Sequence, residues 1–128
     1  MFDYYCEHDF DVVIASRMQA NKEMPVHRKL SNFLTSKIIS FRIKQKIIDS
    51  QCGFRLYKRK VFETFALTAN HYDLESEILI KAGICGFKIG FVNISAIYQA
   101  NLNSYICMID IVRFIRIVIK SILWRKPK

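Results

Sequence analysis

Apolar residues recur along this chain in two different periods. Asp11-Val-Val-Ile-Ala-Ser16 is a short continuous run of largely β-branched residues, and it predicts a buried strand. Residues 17–27 are polar, contain Pro25 and predict a loop. From 28 to 46 the apolar positions Leu30, Phe33, Leu34, Ile38 and Phe41 follow helical spacing, with Arg28, Lys29, Lys37, Arg42, Lys44 and Lys46 around them. Phe54 to Lys58 predicts a second strand, and a short helix follows near residues 60–67. Asp73 suits a helix N-cap, with Glu75 and Glu77 in the first turn, where the helix dipole favours acids. Gly83 or Gly86 would close that helix. Phe87 to Tyr98 is a long β-prone run, and Gly90 inside it marks a bulge or a bend. Strands alternating with helices predict an α/β chain.

The last apolar stretch, Tyr105 to Leu123, is interrupted by Asp110, Arg113, Arg116 and Lys120. Their spacing gathers them into one polar stripe of a helix, and the remaining faces are Ile, Val, Phe, Met and Leu. A wide apolar arc with a basic stripe suits a helix lying in a membrane interface. It suits equally a core helix with one solvent-facing stripe. The trailing Trp124-Arg125-Lys126-Pro127-Lys128 favours the interface, since tryptophan and cations both prefer the headgroup zone. The interrupting charges also leave no run of about eighteen uncharged apolar residues, so no membrane-spanning helix is expected. The first residues are acidic and aromatic, which is not the pattern of a signal peptide.

Composition sharpens this picture in one respect. The 128 residues suffice for one small core, yet 52% are hydrophobic and the mean hydropathy is +0.12. That predicts apolar surface left over for a membrane or a partner. The net charge is +9, and it is unevenly spread. Residues 17–60 set twelve Lys and Arg against Glu23 and Asp49, and residues 113–128 hold six with no acid. Such patches imply an anionic partner: phosphate, a lipid headgroup or nucleic acid. The basic residues lie beside apolar stripes, and no groove-reading or base-stacking motif occurs, so nucleic acid is not expected. The cysteines (Cys6, Cys52, Cys85 and Cys107) have no metal-ligand spacing and predict reduced, buried thiols in a cytosolic protein. His8 beside Cys6 and Asp9 has no distant partner and reads as a polar lead-in, not a metal corner.

The segment that carries the most chemistry is Asp49-Ser50-Gln51-Cys52-Gly53-Phe54-Arg55-Leu56-Tyr57. Gly53 permits a sharp turn or a close approach to a ligand. Asp49 and Arg55 would then face one small volume from either side. A carboxylate beside a guanidinium stays ionised and can act as a base or an orienting group, while the arginine can grip a phosphate. The same pair could simply pin a surface loop.

Around that segment stand Asp11-Val-Val-Ile-Ala-Ser-Arg17, Met24-Pro25 and Arg28 upstream. Downstream come Tyr72-Asp73-Leu74-Glu75-Ser76-Glu77-Ile78-Leu79, Gly86-Phe87-Lys88-Ile89, Ile97-Tyr98, Ser104, Asp110 and Arg113-Phe114. In this order and spacing the chain resembles the C-terminal half of family 2 glycosyltransferases of the polyprenyl-phosphate (dolichol-phosphate mannosyltransferase-like) type. The resemblance covers nearly the whole chain, and the Asp49–Tyr57 and Glu75–Leu79 runs are its most specific parts. It implies a partial GT-A (Rossmann-like) sheet with flanking helices over 1–98, then an amphipathic interfacial helix and basic tail over 99–128. A half-sheet of this kind would leave an open edge or face.

The activity implied is transfer of a sugar, with inversion, from a nucleotide-sugar to the phosphate of a membrane polyprenyl phosphate. By this resemblance Asp49 is the catalytic base or orienting carboxylate. Arg17 and Arg28 look like acceptor-phosphate ligands, Arg55 helps fix the loop or the acceptor phosphate, Gly53 shapes the loop, and Glu77 and Ser104 are supporting residues. The family's N-terminal half binds the nucleotide-sugar and holds Mg²⁺ or Mn²⁺ on an Asp-x-Asp motif. Asp9-Phe10-Asp11 has those letters but abuts the Val-Val-Ile strand, too near Arg17 to be that motif. Gln99-Ala-Asn-Leu-Asn103 also departs from the family pattern, in which an arginine or acidic-basic residues stand before the serine. The expectations are therefore no cofactor in this chain, a partner supplying the N-terminal half, and peripheral attachment to the anionic inner face of the membrane. A non-catalytic membrane-surface or partner-binding module built on the same scaffold is the alternative.

Overall fold

A strand that is apolar on both faces belongs in the middle of a sheet, and the computed structural model places Val12–Ser16 there. The structure describes residues 1–18, 24, 26–70, 73–95 and 108–128, with the backbone alone at 108–110. Strand β1 (Val12–Ser16) is buried throughout. It pairs antiparallel with β2 (Arg55–Tyr57), setting Val13 opposite Leu56, and parallel with β3 (Ile89–Asn93), setting Val13 opposite Gly90. The order is β2-β1-β3. Helices α1 (Phe2–Glu7), α2 (Val26–Ile43), α3 (Arg59–Thr64), α4 (Asp73–Ile84) and α5 (Met108–Leu123) flank it. Val12, Ile14, Ile39, Ile43, Leu79, Ile80 and Ile117 form the shared core. The expected architecture is present: a mixed α/β chain with a small, partial Rossmann-like sheet, flanking helices and a C-terminal helix.

Several local expectations are refined. The N-terminal lead-in is helical, and the His8 ring stacks on Tyr4 at 4.2 Å. Gly90 is neither bulge nor bend, since the β1–β3 register runs unbroken from Val12–Ile89 to Ser16–Asn93. Its Cβ would lie 2.6 Å from the Phe10 ring, so the missing side chain makes room for that aromatic. Of the two candidate closers of α4, Gly86 does the work at φ +85. The Phe87 amide donates to the Ala82 carbonyl at 3.0 Å and the Gly86 amide to Gly83 at 3.1 Å, the two bonds of a Schellman cap.

Gly83 has a different role. A Cβ there would stand 2.5 Å from the Ile43 Cβ, an atom fixed to the α2 backbone. The glycine thus sets how closely α2 and α4 pack. Gly83→Ala forces the helices apart, at a cost of about 1–3 kcal/mol. A urea titration should show a lower midpoint at unchanged slope.

Helices α2 and α5 turn large apolar side chains outward. The side of α2 bearing Leu30, Phe33, Leu34, Ile38 and Phe41 faces outward, Phe41 being 89% exposed. Its buried positions are Asn32, Ser36, Ile39 and Ile43. On α5, Ile111, Val112, Ile115, Ile119, Ile122 and Leu123 are exposed, while Ile117 and Ser121 are buried. Arg42 joins the two helices by donating from its guanidinium to the Ser121 carbonyl at 2.6 Å. Among the described residues no helix is long and apolar enough to cross a membrane.

Candidate functional site

The C-terminal end of β1, the inner face of α2 and the loop from 44 to 54 meet at Asp49. Helix α2 ends where Lys44 takes a left-handed φ of 56, and the chain turns back along the helix. Polar residues on the inner face of α2 receive it. The Ile47 amide donates to Ser40 Oγ at 2.8 Å, and the Ser50 amide donates to Asn32 Oδ1 at 3.1 Å and Ser36 Oγ at 3.0 Å. The Ser50 and Thr35 hydroxyls are 2.9 Å apart. Asn32, Ser36 and Ser40 recur every four residues, so one stripe of α2 is built to hold this loop.

Asp49 is 0% exposed, and both its oxygens are used. Oδ1 accepts from the Asn32 amide at 2.7 Å and from the backbone N–H groups of Cys52 and Gln51 at 3.1 and 3.2 Å. Oδ2 accepts from the Arg17 backbone N–H at 3.1 Å and from Arg17 Nε at 3.3 Å. Burial pushes this carboxyl up, but the two Arg17 bonds, the Arg17 charge and the Asn32 amide outweigh it and hold the group below the usual carboxylate range. A buried carboxylate so engaged is a weak base and a strong organiser: it orients the Arg17 side chain and the loop together.

The partner of Asp49 is therefore Arg17, 32 residues away, and Arg55 has another task. Its guanidinium is 1% exposed. Nε donates to the Cys52 carbonyl at 2.7 Å, Nη2 to Ser50 at 2.8 Å and Nη1 to Glu75 at 2.9 Å. It ties the loop to the first turn of α4, with the Glu75 carboxylate 3.8 Å away. Gly53 lacks the left-handed backbone expected of a turn glycine; its Cβ would sit 2.8 Å from Glu75 Oε1, the end of a flexible side chain.

Arg28 is half-buried and stands one helical turn before Asn32 on α2. Glu77 belongs elsewhere. It is buried, pairs with Lys81 at 2.7 Å, and accepts from the Thr68 and Ala69 amides at 3.0 and 2.7 Å. Burial pushes its carboxyl up, and the Lys81 bond with those amides and the Thr68 hydroxyl brings it below its ordinary value. Ser104, Cys107 and Pro25 lie outside the described residues, as does the 99–103 departure. Asn32, Thr35, Ser36 and Ser50 escaped the sequence reading, although the four-residue recurrence of small polar residues on α2 was visible.

Among the described residues no group of three histidines, cysteines or acids converges. Asp9 pairs with Lys58 at 2.9 Å and Lys88 at 3.4 Å, and Asp11 with Lys60 at 2.7 Å.

A known protein shares part of this sequence. Glycosyltransferase AglD of Haloferax volcanii is 24% identical over 85 residues, which cover 63% of this chain. That relative is a glycosyltransferase. The chain spans 14% of the length of AglD. No family model matches the chain, and no solved structure does. The similarity to a glycosyltransferase agrees with the enzyme class that the Asp49 segment resembles.

Proposed function

We propose that this chain forms the acceptor side of an inverting glycosyltransferase that moves a sugar from a nucleotide-sugar to the phosphate of a membrane polyprenyl phosphate. The observation that carries this reading is the buried Asp49 carboxylate gripping Arg17 at the end of the central strand. A phosphate acceptor has its second pKa at about 6 and is mostly ionised near neutral pH. It is already a nucleophile and needs placement and charge neutralisation more than deprotonation. Arg17 and Arg28 would bind the acceptor phosphate, with Asp49 positioning Arg17. Arg55 would act through the loop it braces. The nucleotide-sugar, with Mg²⁺ or Mn²⁺, would be held by a donor-binding half on another segment or a partner.

The acceptor is a lipid, and the outward Phe and Ile side chains of α2 and α5 suit a bilayer surface. Arg28, Lys29, Lys37 and Arg42 on α2 and the basic tail after α5 would draw the chain to anionic lipid, at about 1 kcal/mol per cation near the surface. Attachment to the inner face of the cytoplasmic membrane follows from this reading. The chain should co-sediment with anionic vesicles and not with neutral ones; equal indifference to both would remove the membrane from the proposal.

Sugar transfer is tested by supplying a donor-binding half, a nucleotide-sugar and vesicles carrying polyprenyl phosphate. Labelled sugar appearing in the lipid fraction supports the reading. Vesicle binding without transfer would favour the second one, a non-catalytic membrane-surface module, which the saturated hydrogen bonding of Asp49 would serve equally well.

A further inference from the structure

The basic stripe of α5 turns towards α4, and the helices border a cleft of about 710 Å³, the size of a small-ligand site. Ile80, Ile117 and Trp124 give it apolar walls, and Ala66, Thr68, Ala69 and Asn70 also line it. Arg113, Arg116 and Lys120 line it from α5. Of the two acids in the lining, Glu77 is committed to Lys81 and the Thr68 and Ala69 amides, and Asp73 is the other. Arg116 and Lys120 make no ion pair among the described residues. They are also four apart on one helix, where like charges repel.

We propose that this cleft binds a phosphate-bearing anion. An anion between Arg116 and Lys120 relieves their repulsion; the arginine fork takes two oxygens and the lysine supplies a point charge. Two adjacent cations match a phosphate, with nearly two negative charges at neutral pH, better than a single carboxylate. The apolar walls accommodate whatever the phosphate is attached to. Arg17, Asn32, Asp49 and Arg55 do not line the cleft, so this site stands or falls apart from the acceptor reading.

Trp124 is the chain's one tryptophan and lines the cleft, so its emission reports occupancy directly. Inorganic pyrophosphate at low ionic strength should change that emission saturably. Monomeric dihexanoyl phosphatidic acid is the parallel probe; tighter binding than pyrophosphate identifies a lipid headgroup, and equal or weaker binding a soluble phosphate. The double variant Arg116→Gln, Lys120→Gln removes two charge-assisted contacts and should weaken binding at least about tenfold, with an unchanged urea midpoint. Asp73→Asn removes the opposing acid and should tighten binding several-fold, a gain that a damaged fold does not produce. Absence of saturation with both probes overturns the proposal, as does a folded double variant that binds like wild type. Should the double variant not fold, Asp73→Asn decides alone: tighter binding supports the site, unchanged binding overturns it.

Discussion

Asp49→Asn lowers the stability of this chain by about 3 kcal/mol, since donors around the buried carboxylate, at about 1–3 kcal/mol each, lose their acceptor. Total stability for a domain is about 5–15 kcal/mol, so the loss is a large share and the melting temperature falls by many degrees. The reason is specific. Five donors converge on the two carboxylate oxygens, and asparagine offers one acceptor oxygen and an amide NH₂, itself a donor. That NH₂ would face donors on Arg17 or on Asn32 and the loop. The lowered carboxyl pKa gives the sign with pH: Asp49's contribution is fully present above about pH 4, its unfolded value. It is lost as pH falls through the lowered folded value. Wild type and variant therefore differ most at neutral pH and converge in acid, which melting curves between the two conditions will show. In a complete enzyme carrying a donor-binding half, turnover should drop by orders of magnitude, because Arg17 loses the group that aims it. A melting temperature that falls while the rate survives would make Asp49 a structural group only.

Arg55→Lys is the second large effect. Three different guanidinium nitrogens reach three carbonyls, at Ser50, Cys52 and Glu75. One ammonium cannot span them, so two carbonyls lose their partners at about 1–3 kcal/mol each. The charge is kept, which separates geometry from electrostatics. The loop should then open on its α4 side, and chymotrypsin should cut at the exposed Phe54 faster than in wild type. Unchanged cleavage and melting would mean that water replaces the arginine, and Arg55 would lose its bracing role.

What the sequence disclosed, and what it hid, divides along physical lines. β1 was legible because five residues without a polar face can only be central. A glycine closing α4 was legible, but the choice of Gly86 over Gly83 was not, since either can take the positive φ found at Gly86. The orientation of α2 and α5 was left open by their patterns, which fit an outward apolar face as well as an inward one; burial on α2 is decided by what Asp49 and Ser50 require. Asn32 and Ser36 are inside because the loop's amides and a carboxylate need partners there. The pairing inside the Asp49 segment was not legible, since its closest arginine in sequence is not its ion-pair partner. Arg17 is adjacent only once β1 and α2 have folded together, and spacing along the chain carries no trace of that.

The Arg42–Ser121 hydrogen bond has a consequence for the order in which the molecule loosens. Helix α5 is anchored inward at Ile117 and Ser121, with Trp124 edge-on to Phe65 at 6.2 Å, and most of its large side chains face out. β1, by contrast, is hydrogen-bonded on both sides and buried along its length. Local openings follow such differences in buried contact. α5 can therefore lift away as a unit while the sheet stays closed, and the bond from Arg42 acts as the latch that sets how often it does.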